Sequence, residues 1–141
     1  MEAAGFVDTV GPGVTSVKPG DRVADACAPP GAYTSLRNMR ADMLVKLPDT
    51  LSEVNAAALM LKGMTASFLL HDVDAVKQGD RILVYAAAGG VGQILCRWAK
   101  AIGAHATGVT STKAKADVAR RVGCNEVLFV GRADLAGVVR G

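Results

Sequence analysis

One stretch of the chain, Asp80–Gly92, constrains the fold more than any other. It begins with the apolar run Ile82–Tyr85, which is typical of a buried parallel strand. It ends in a turn whose small residues Ala87, Gly89 and Gly92 follow the spacing of a dinucleotide-binding fingerprint, with alanine at the first glycine position. A helical pattern follows at once. The order of strand, glycine turn and helix predicts a βα unit of an open parallel sheet.

The helix that follows the turn is predicted to be amphipathic and to end at Gly103. Its apolar face is predicted to contain Val91, Ile94, Leu95, Trp98 and Ile102, and its polar face Gln93, Arg97 and Lys100. A second strand candidate, His105–Val109, comes directly after it. The stretch 80–109 therefore predicts a complete βαβ unit, and this context strengthens the glycine pattern as a nucleotide motif.

The glycines have a chemical reason in nucleotide binding. At this turn the backbone must come close to a pyrophosphate: Gly89 leaves room for the approach, and Gly92 lets the helix pack closely on the strand. The free N–H groups and the positive dipole end of the helix attract the phosphate charge. We predict that the pyrophosphate contacts Ala88, Gly89, Gly90, Val91 and Gly92. The alternative is a glycine turn with a structural role only.

The end of the second strand predicts which dinucleotide binds. Proteins that bind NAD usually place an Asp or Glu here, which binds the 2′-hydroxyl of the adenosine ribose, and no acidic residue occurs in 105–116. A carboxylate would repel a 2′-phosphate, whereas the hydroxyls and the two lysines of the stretch 110–115 would receive it. The alternative is that Ser111 and Thr112 only cap the next helix and that Lys113 and Lys115 are solvated. The pattern favours NADP over NAD.

Residues 1–48 are predicted to form short strands separated by turns rich in Gly and Pro. The strand candidates are Phe6–Val10, Arg22–Ala24, Tyr33–Met39 and Met43–Leu47. Strands of this length and spacing predict part of a small β-barrel or sandwich.

Helical patterns fill most of the remaining chain. A helix is predicted over Glu53–Leu61, with Thr50 or Ser52 as its N-cap. Gly63 is predicted to separate it from a second helical piece. The other predicted elements are the helical piece from Met64 to about His71, a helix over Thr112–Val122, a strand over Glu126–Val130 and a short piece at Ala133–Arg140.

Composition excludes several classes of protein. The formal net charge is +3, and the basic excess is concentrated in residues 80–141, with 9 Lys/Arg against 4 Asp/Glu. That excess suits a phosphate site but is too small and scattered to predict nucleic-acid binding. The cysteines, Cys27, Cys96 and Cys124, lack metal or disulfide spacing and are interpreted as packing residues. His71 and His105 have no evident ligand partners, so no metal site is predicted.

The sequence also predicts a protein that is soluble and cytoplasmic. No apolar stretch approaches the roughly 18 residues that span a membrane. The first residues lack the basic and apolar regions of a signal peptide.

The stretch Gly79–Lys100 resembles the medium-chain dehydrogenase/reductase superfamily, specifically its zinc-free quinone oxidoreductase (zeta-crystallin-like) branch. The matching pattern is Gly79-Asp80-x-x-Leu83-x-x-x-Ala87-Ala88-Gly89-Gly90-x-Gly92. One position departs from it, since Arg97 stands where the family usually has Gln. Further similar stretches are Glu2–Gly5, Gly20–Val23 and Ala56–Ala66, so the likeness extends from residue 1 to about residue 130.

The resemblance implies an α/β protein with two partial domains, apparently truncated at both ends relative to the family. Residues 1–53 would be part of a GroES-like β-barrel catalytic domain, and residues 54–141 the start of a Rossmann NADP-binding fold. The cysteine-rich lobe and Gly-His-Glu site of zinc-dependent members are absent from the sequence. The implied function is hydride transfer from NADPH to a quinone, an enone or a related activated carbonyl or alkene.

The resemblance also implies roles for particular residues. Lys62 and Thr65 would lie near the nicotinamide end of NADPH, and Ser111 and Lys115 would meet the 2′-phosphate. No catalytic residue is assigned. Val130 departs from the family, which usually has a Tyr near the adenosine phosphate.

Related enzymes commonly pair through the edge of the Rossmann sheet, which implies a homodimer. The alternative function is non-enzymatic: a catalytically incompetent remnant that at most binds nucleotide, or a subunit that completes itself by dimerising.

Overall fold

The computed structural model describes residues 2–26 and 29–131. Contacts divide the chain into two units, Met1–Leu61 and Lys62–Gly141. No helix in the described ranges combines the length and the apolarity that a membrane crossing requires. Cys27 and the piece predicted at Ala133–Arg140 lie outside the described residues.

The first unit contains a three-stranded antiparallel sheet. Its strands are β1 (Glu2–Phe6), β2 (Arg22–Ala26) and β3 (Val45–Lys46), and a single 3₁₀ turn at Ala41–Met43 precedes β3. The central strand is β2, which carries the buried residues Val23 and Ala24. The prediction of short strands with turns between them is correct for this unit.

Two strand predictions in this unit are wrong in detail. The first strand covers Glu2–Phe6 rather than Phe6–Val10, because its pairing with β2 ends at Val7, whose N–H donates to the Asp21 carbonyl at 2.9 Å. The predicted strand at Tyr33–Met39 is absent. That segment instead carries Arg37, which forms an ion pair with a buried carboxylate on β2. Strand pairing depends on distant residues that a local pattern does not report.

Helix α1 covers Glu53–Ser67 and continues as a π-helical turn over Phe68–Val73. Ser52 caps its start, because the Ser52 Oγ accepts a hydrogen bond from the Asn55 N–H at 3.3 Å. The predicted interruption at Gly63 is wrong. Glycine lowers helix propensity by only about 1 kcal/mol relative to alanine, and the Ala- and Leu-rich run around it outweighs that cost.

The second unit contains a parallel α/β sheet with the strand order β4-β5-β6. Its elements are β4 (Arg81–Tyr85), α2 (Gly90–Ile102), β5 (His105–Thr110), α3 (Lys113–Arg121) and β6 (Glu126–Phe129). Each of these elements matches a predicted one to within one residue at either end. Gly103 ends α2 with a φ of 87°, the left-handed conformation that favours glycine at a helix end.

The buried face of α2 is shifted by one residue from the predicted face. Gly92, Cys96 and Ala99 are buried, whereas the five predicted apolar residues are half-buried. The small residues face the sheet because Gly92 lies against the backbone of Ala86 and Ala87. This close approach leaves the larger side chains on the flanks of the helix.

Cys96 and Cys124 belong to the core between α2, α3 and the sheet. Both are free thiols, and their Sγ atoms lie 3.0 Å apart within hydrogen-bond distance. Burial, together with the hydrogen bond between the two thiols, raises the pKa of Cys96. For these two residues the structure agrees with the interpretation as packing residues.

Candidate dinucleotide site

The turn between β4 and α2 is held in one conformation by its backbone. The Gly89 N–H donates to the Ala86 carbonyl at 2.7 Å, and Gln93 Nε2 donates to the Ala88 carbonyl at 2.9 Å. Ala86 adopts a φ of 51°, which is uncommon for a residue with a side chain. Such strain is found at sites where a loop must keep a fixed shape.

Gly92 has no room for a side chain, and Gly89 has little. A Cβ at Gly92 would lie 2.4 Å from the Ala86 carbonyl oxygen, and a Cβ at Gly89 would lie 3.1 Å from the same atom. Gly89 and Gly90 are exposed at the start of α2. The first N–H groups of this helix are therefore presented to solvent next to a glycine backbone that a ligand can approach closely.

Lys62 brings a positive charge to the same helix start. The aliphatic part of its side chain lies over Gly90, where a Cβ would meet Lys62 Cδ at 2.8 Å. Thr65 lies three residues further along α1, a spacing that places both side chains on one side of the helix. The structure thus brings Lys62 to the glycine turn.

The other end of the candidate site lies where β5 meets α3. Lys115 Nζ donates to Ser111 Oγ at 3.1 Å, and both side chains are exposed. Thr112 is the N-cap of α3, because its Oγ1 accepts from the Lys115 N–H at 3.3 Å. Thr112 therefore caps the helix, while Ser111 and Lys115 form a separate hydroxyl–ammonium pair that can meet an anion.

A cavity of about 620 Å³ lies beside the glycine turn. Its lining is mostly apolar and includes Leu69, Leu83, Leu95 and the turn residues Gly89–Gly92. Its volume falls within the roughly 300–1,000 Å³ that is usual for small-molecule sites. If the phosphates of a ligand bound at the start of α2, the rest of the ligand could contact the apolar surface of this cavity.

Two features near this site are not predicted by the sequence. Ala86 carries the strained φ, and nothing in its local sequence predicts that conformation. Thr110 is almost fully buried at the carboxyl end of β5, and its Oγ1 has no hydrogen-bond partner among the described residues. The sequence predicts that the hydroxyls and lysines of the stretch 110–115 receive the 2′-phosphate, but it does not predict that Thr110 is buried.

These residues fit a dinucleotide on the observations of this structure. The glycine backbone and helix start suit a pyrophosphate, the Ser111–Lys115 pair suits a further phosphate, and the Thr110 hydroxyl has no partner within residues 2–26 and 29–131. No group of three or more metal-ligating side chains occurs in the part of the chain that the structure describes.

Comparison with known proteins shows that this chain is similar to part of several reductases. A 2-haloacrylate reductase from Burkholderia sp. is 47% identical over 142 residues, which cover 99% of this chain and 43% of the relative. A quinone oxidoreductase from Pseudomonas syringae matches in structure with a TM-score of 0.94 at 46% identity, covering 98% of this chain and 42% of that one. No protein-family model matches the chain.

An Escherichia coli quinone oxidoreductase, crystallised as a complex with NADPH, also matches with a TM-score of 0.94. Its identity to this chain is 43%, over 99% of this chain and 43% of that one. The chain thus spans about two fifths of the length of the relatives it matches.

Fold and comparisons together define an α/β segment of the medium-chain dehydrogenase/reductase class, in which a Rossmann-type sheet follows GroES-like strands. Within that class the chain is similar to quinone oxidoreductases and to the 2-haloacrylate reductase. This confirms the predicted fold class and the predicted family.

Proposed function

We propose that this chain is the cofactor-binding part of an NADPH-dependent reductase that transfers hydride to a quinone or to a related activated carbonyl or alkene. The observation that carries the proposal is the pairing of two anion sites. One is the glycine turn at the start of α2, with Lys62 above Gly90. The other is the Ser111–Lys115 pair at the end of β5. A 2′-phosphorylated dinucleotide carries phosphates that suit both.

The predicted residues would take the following roles. The backbone from Ala88 to Gly92 would hold the pyrophosphate through N–H groups and the helix dipole. Ser111 and Lys115 would hold the 2′-phosphate with charge-assisted hydrogen bonds. Lys62 and Thr65 would contact the nicotinamide end.

The bound NADPH supplies the hydride, so the residues of this chain bind and orient the cofactor. The substrate class is proposed from the relatives, which include quinone oxidoreductases and a 2-haloacrylate reductase. Both quinones and 2-haloacrylates contain an electron-poor alkene that accepts hydride. We also propose residues 1–53 and 54–141 as the GroES-like and Rossmann parts, and a cytoplasmic location.

The proposal is tested by titrating the 141-residue chain with NADPH and with NADH while tryptophan fluorescence is recorded. Trp98 is the single tryptophan. It lies on α2, whose N-terminus is at the proposed phosphate site, and contacts His71 edge-on with ring centres 5.1 Å apart. Saturable binding that is tighter for NADPH than for NADH is expected. The proposal would be overturned if circular dichroism showed that the chain is folded while fluorescence and calorimetry detected no binding of either nucleotide.

We further propose that two copies pair through an edge of the parallel sheet. Among the described residues β4 and β6 are the outer strands, and an outer strand has unpaired N–H and C=O groups. Tyr85 at the end of β4 is exposed and can be replaced without loss from the core. Sedimentation velocity should show a dimer. If β4 forms the contact, Tyr85→Lys should weaken that dimer. A monomer at all protein concentrations would contradict pairing.

A further inference from the structure

Thr110 carries a buried hydroxyl that the described residues do not satisfy. The residue is 3% exposed, and its Oγ1 has no hydrogen-bond partner among them. Leaving a buried polar group unpaired destabilises a fold, because the group loses its hydrogen bonds to water without replacement. Valine has nearly the same shape without that cost, so packing alone does not explain a threonine at this position.

The position of Thr110 points to the nucleotide site. Side chains alternate along a strand, so Thr110 shares a face of β5 with Gly108. A Cβ at Gly108 would lie 2.8 Å from Ala87 Cβ and 2.8 Å from Cys124 Sγ, so this face packs against both the start of the glycine turn and the core. The Ala87 N–H donates to the Val109 carbonyl at 3.3 Å, so the turn begins directly beside the end of β5. Thr110 therefore follows directly after the residue that pairs with the glycine turn and directly precedes Ser111 of the Ser111–Lys115 pair.

We infer that Thr110 is a further cofactor-binding residue, whose hydroxyl hydrogen-bonds the 2′-oxygen or 2′-phosphate of the adenosine ribose; this inference rests on the proposed function. Thr110 is the last residue of the second parallel strand, about 20 residues beyond the glycine turn. At this place NAD-binding proteins use a carboxylate to accept a hydrogen bond from the 2′-hydroxyl.

The hydroxyl differs from a carboxylate in a way that affects specificity. A threonine hydroxyl can donate as well as accept, and it carries no charge. It can donate to a 2′-phosphate oxygen that a carboxylate would repel. Thr110 would thus complete a set of three groups with Ser111 and Lys115, and it would be the buried member of that set.

The test compares two substitutions in the 141-residue chain. Thr110→Val keeps the shape and removes the hydroxyl, whereas Thr110→Ser keeps the hydroxyl. Calorimetric titration would use NADPH and adenosine 2′,5′-bisphosphate, which contains the ribose end alone. Thr110→Val should weaken binding of both ligands by about ten-fold, the effect of losing one hydrogen bond to a charged group. Thr110→Ser should bind within about three-fold of the wild type.

Thermal unfolding without ligand supplies a second readout. Thr110→Val should unfold at the same or a higher temperature than the wild type, because it removes an unsatisfied hydroxyl. Weaker binding together with unchanged or higher stability is a combination that a purely structural role would not produce. The inference would be overturned if Thr110→Val bound both ligands with wild-type affinity. It would also be overturned if Thr110→Val lost stability and binding together and Thr110→Ser did not restore them. Neither result would overturn the proposed function. A folded wild type that binds neither ligand would overturn the proposed function as well.

Discussion

At the scale of single residues, Gly92 sets how closely α2 approaches the sheet. A Cβ at this position would lie 2.4 Å from the Ala86 carbonyl oxygen and 2.8 Å from the Ala87 Cα. These are backbone atoms of a turn already fixed by hydrogen bonds, so they cannot move aside cheaply. We expect Gly92→Ala to lower the free energy of unfolding by about 1 to 3 kcal/mol and to weaken NADPH binding, as measured by urea unfolding and by titration.

Gly63 provides a matched control within α1. Nothing lies within 4 Å of the Cβ that alanine would add there. Gly63→Ala should raise the free energy of unfolding by about 0.5 to 1 kcal/mol, because alanine is the better helix former. Equal effects of the two substitutions would contradict the constraint assigned to Gly92.

Lys115 is the residue at which we propose that charge discriminates between the two dinucleotides. Its ammonium lies 3.1 Å from Ser111 Oγ at the proposed 2′-phosphate position. Lys115→Gln should weaken NADPH binding by about ten-fold or more, since a hydrogen bond to a charged group contributes about 1.5 to 3 kcal/mol. NADH binding should stay unchanged.

The control for this substitution is Lys113→Gln, at an exposed lysine two residues away on the same helix. It removes the same charge without touching Ser111. Equal losses for both variants would mean that net charge, rather than the Ser111–Lys115 pair, attracts the cofactor.

At the scale of elements, Arg22 connects β2 to the start of α1. Its Nε donates to Glu53 Oε1 at 2.6 Å, and its Nη2 donates to the Leu51 carbonyl. The hydrogen bond from Arg22 is the largest influence that lowers the pKa of Glu53. A carboxyl with a lowered folded-state pKa stabilises the fold above its unfolded pKa of about 4.3, and this stability is lost as the pH falls through the folded value.

Glu53→Gln should therefore reduce stability at neutral pH and flatten its decline on acidification. The measurement is the free energy of urea unfolding by circular dichroism between pH 7 and pH 3. Asp8→Asn, at an exposed carboxylate of the same unit, serves as the control. If Glu53→Gln and wild type lose stability equally over that range, the Arg22–Glu53 pair makes no pH-dependent contribution.

The elements differ in how far local sequence predicts them. The β4–α2–β5 unit is predictable because its strand, glycine turn and helix follow one another, and each carries its own local pattern. The absence of a strand at Tyr33–Met39 could not be predicted, because antiparallel pairing depends on partners far along the chain. The buried face of α2 is missed by one position because hydrophobicity favours Leu95, whereas the close approach at Gly92 selects Cys96 and Ala99.

The same distinction applies within the candidate site. Gly89 and Gly92 are predictable, because any phosphate turn of this type needs glycine there. The strained φ of Ala86 depends on three-dimensional neighbours, and so does the burial of the Thr110 hydroxyl, which has no partner in the part of the chain that the structure describes. The sequence thus predicts the site residues that the chemistry requires, and it does not predict the features that depend on packing.

At the scale of the whole molecule, the reactivity of the two buried thiols can be used to measure how far cofactor binding stabilises the fold. Cys96 is fully buried and Cys124 nearly so, and both lie in the core that supports the glycine turn. Because burial raises the pKa of Cys96, the reactive thiolate is scarce in the folded state. In a Cys27→Ser background, both thiols should react with a disulfide reagent only through unfolding, at a common rate.

A ligand that binds only the folded state should slow this reaction by mass action. At a free NADPH concentration of 100 times its Kd, the unfolded population falls about 100-fold, and labelling should slow by the same factor when refolding outpaces modification. The removal of NADPH should restore the original rate, and Lys115→Gln should require a higher NADPH concentration for the same degree of protection. Prompt labelling of either thiol at all NADPH concentrations would show that this core opens independently of the site. Labelling that slows in step with the calorimetric binding curve would establish that the glycine turn and the packed core form one cooperative structure.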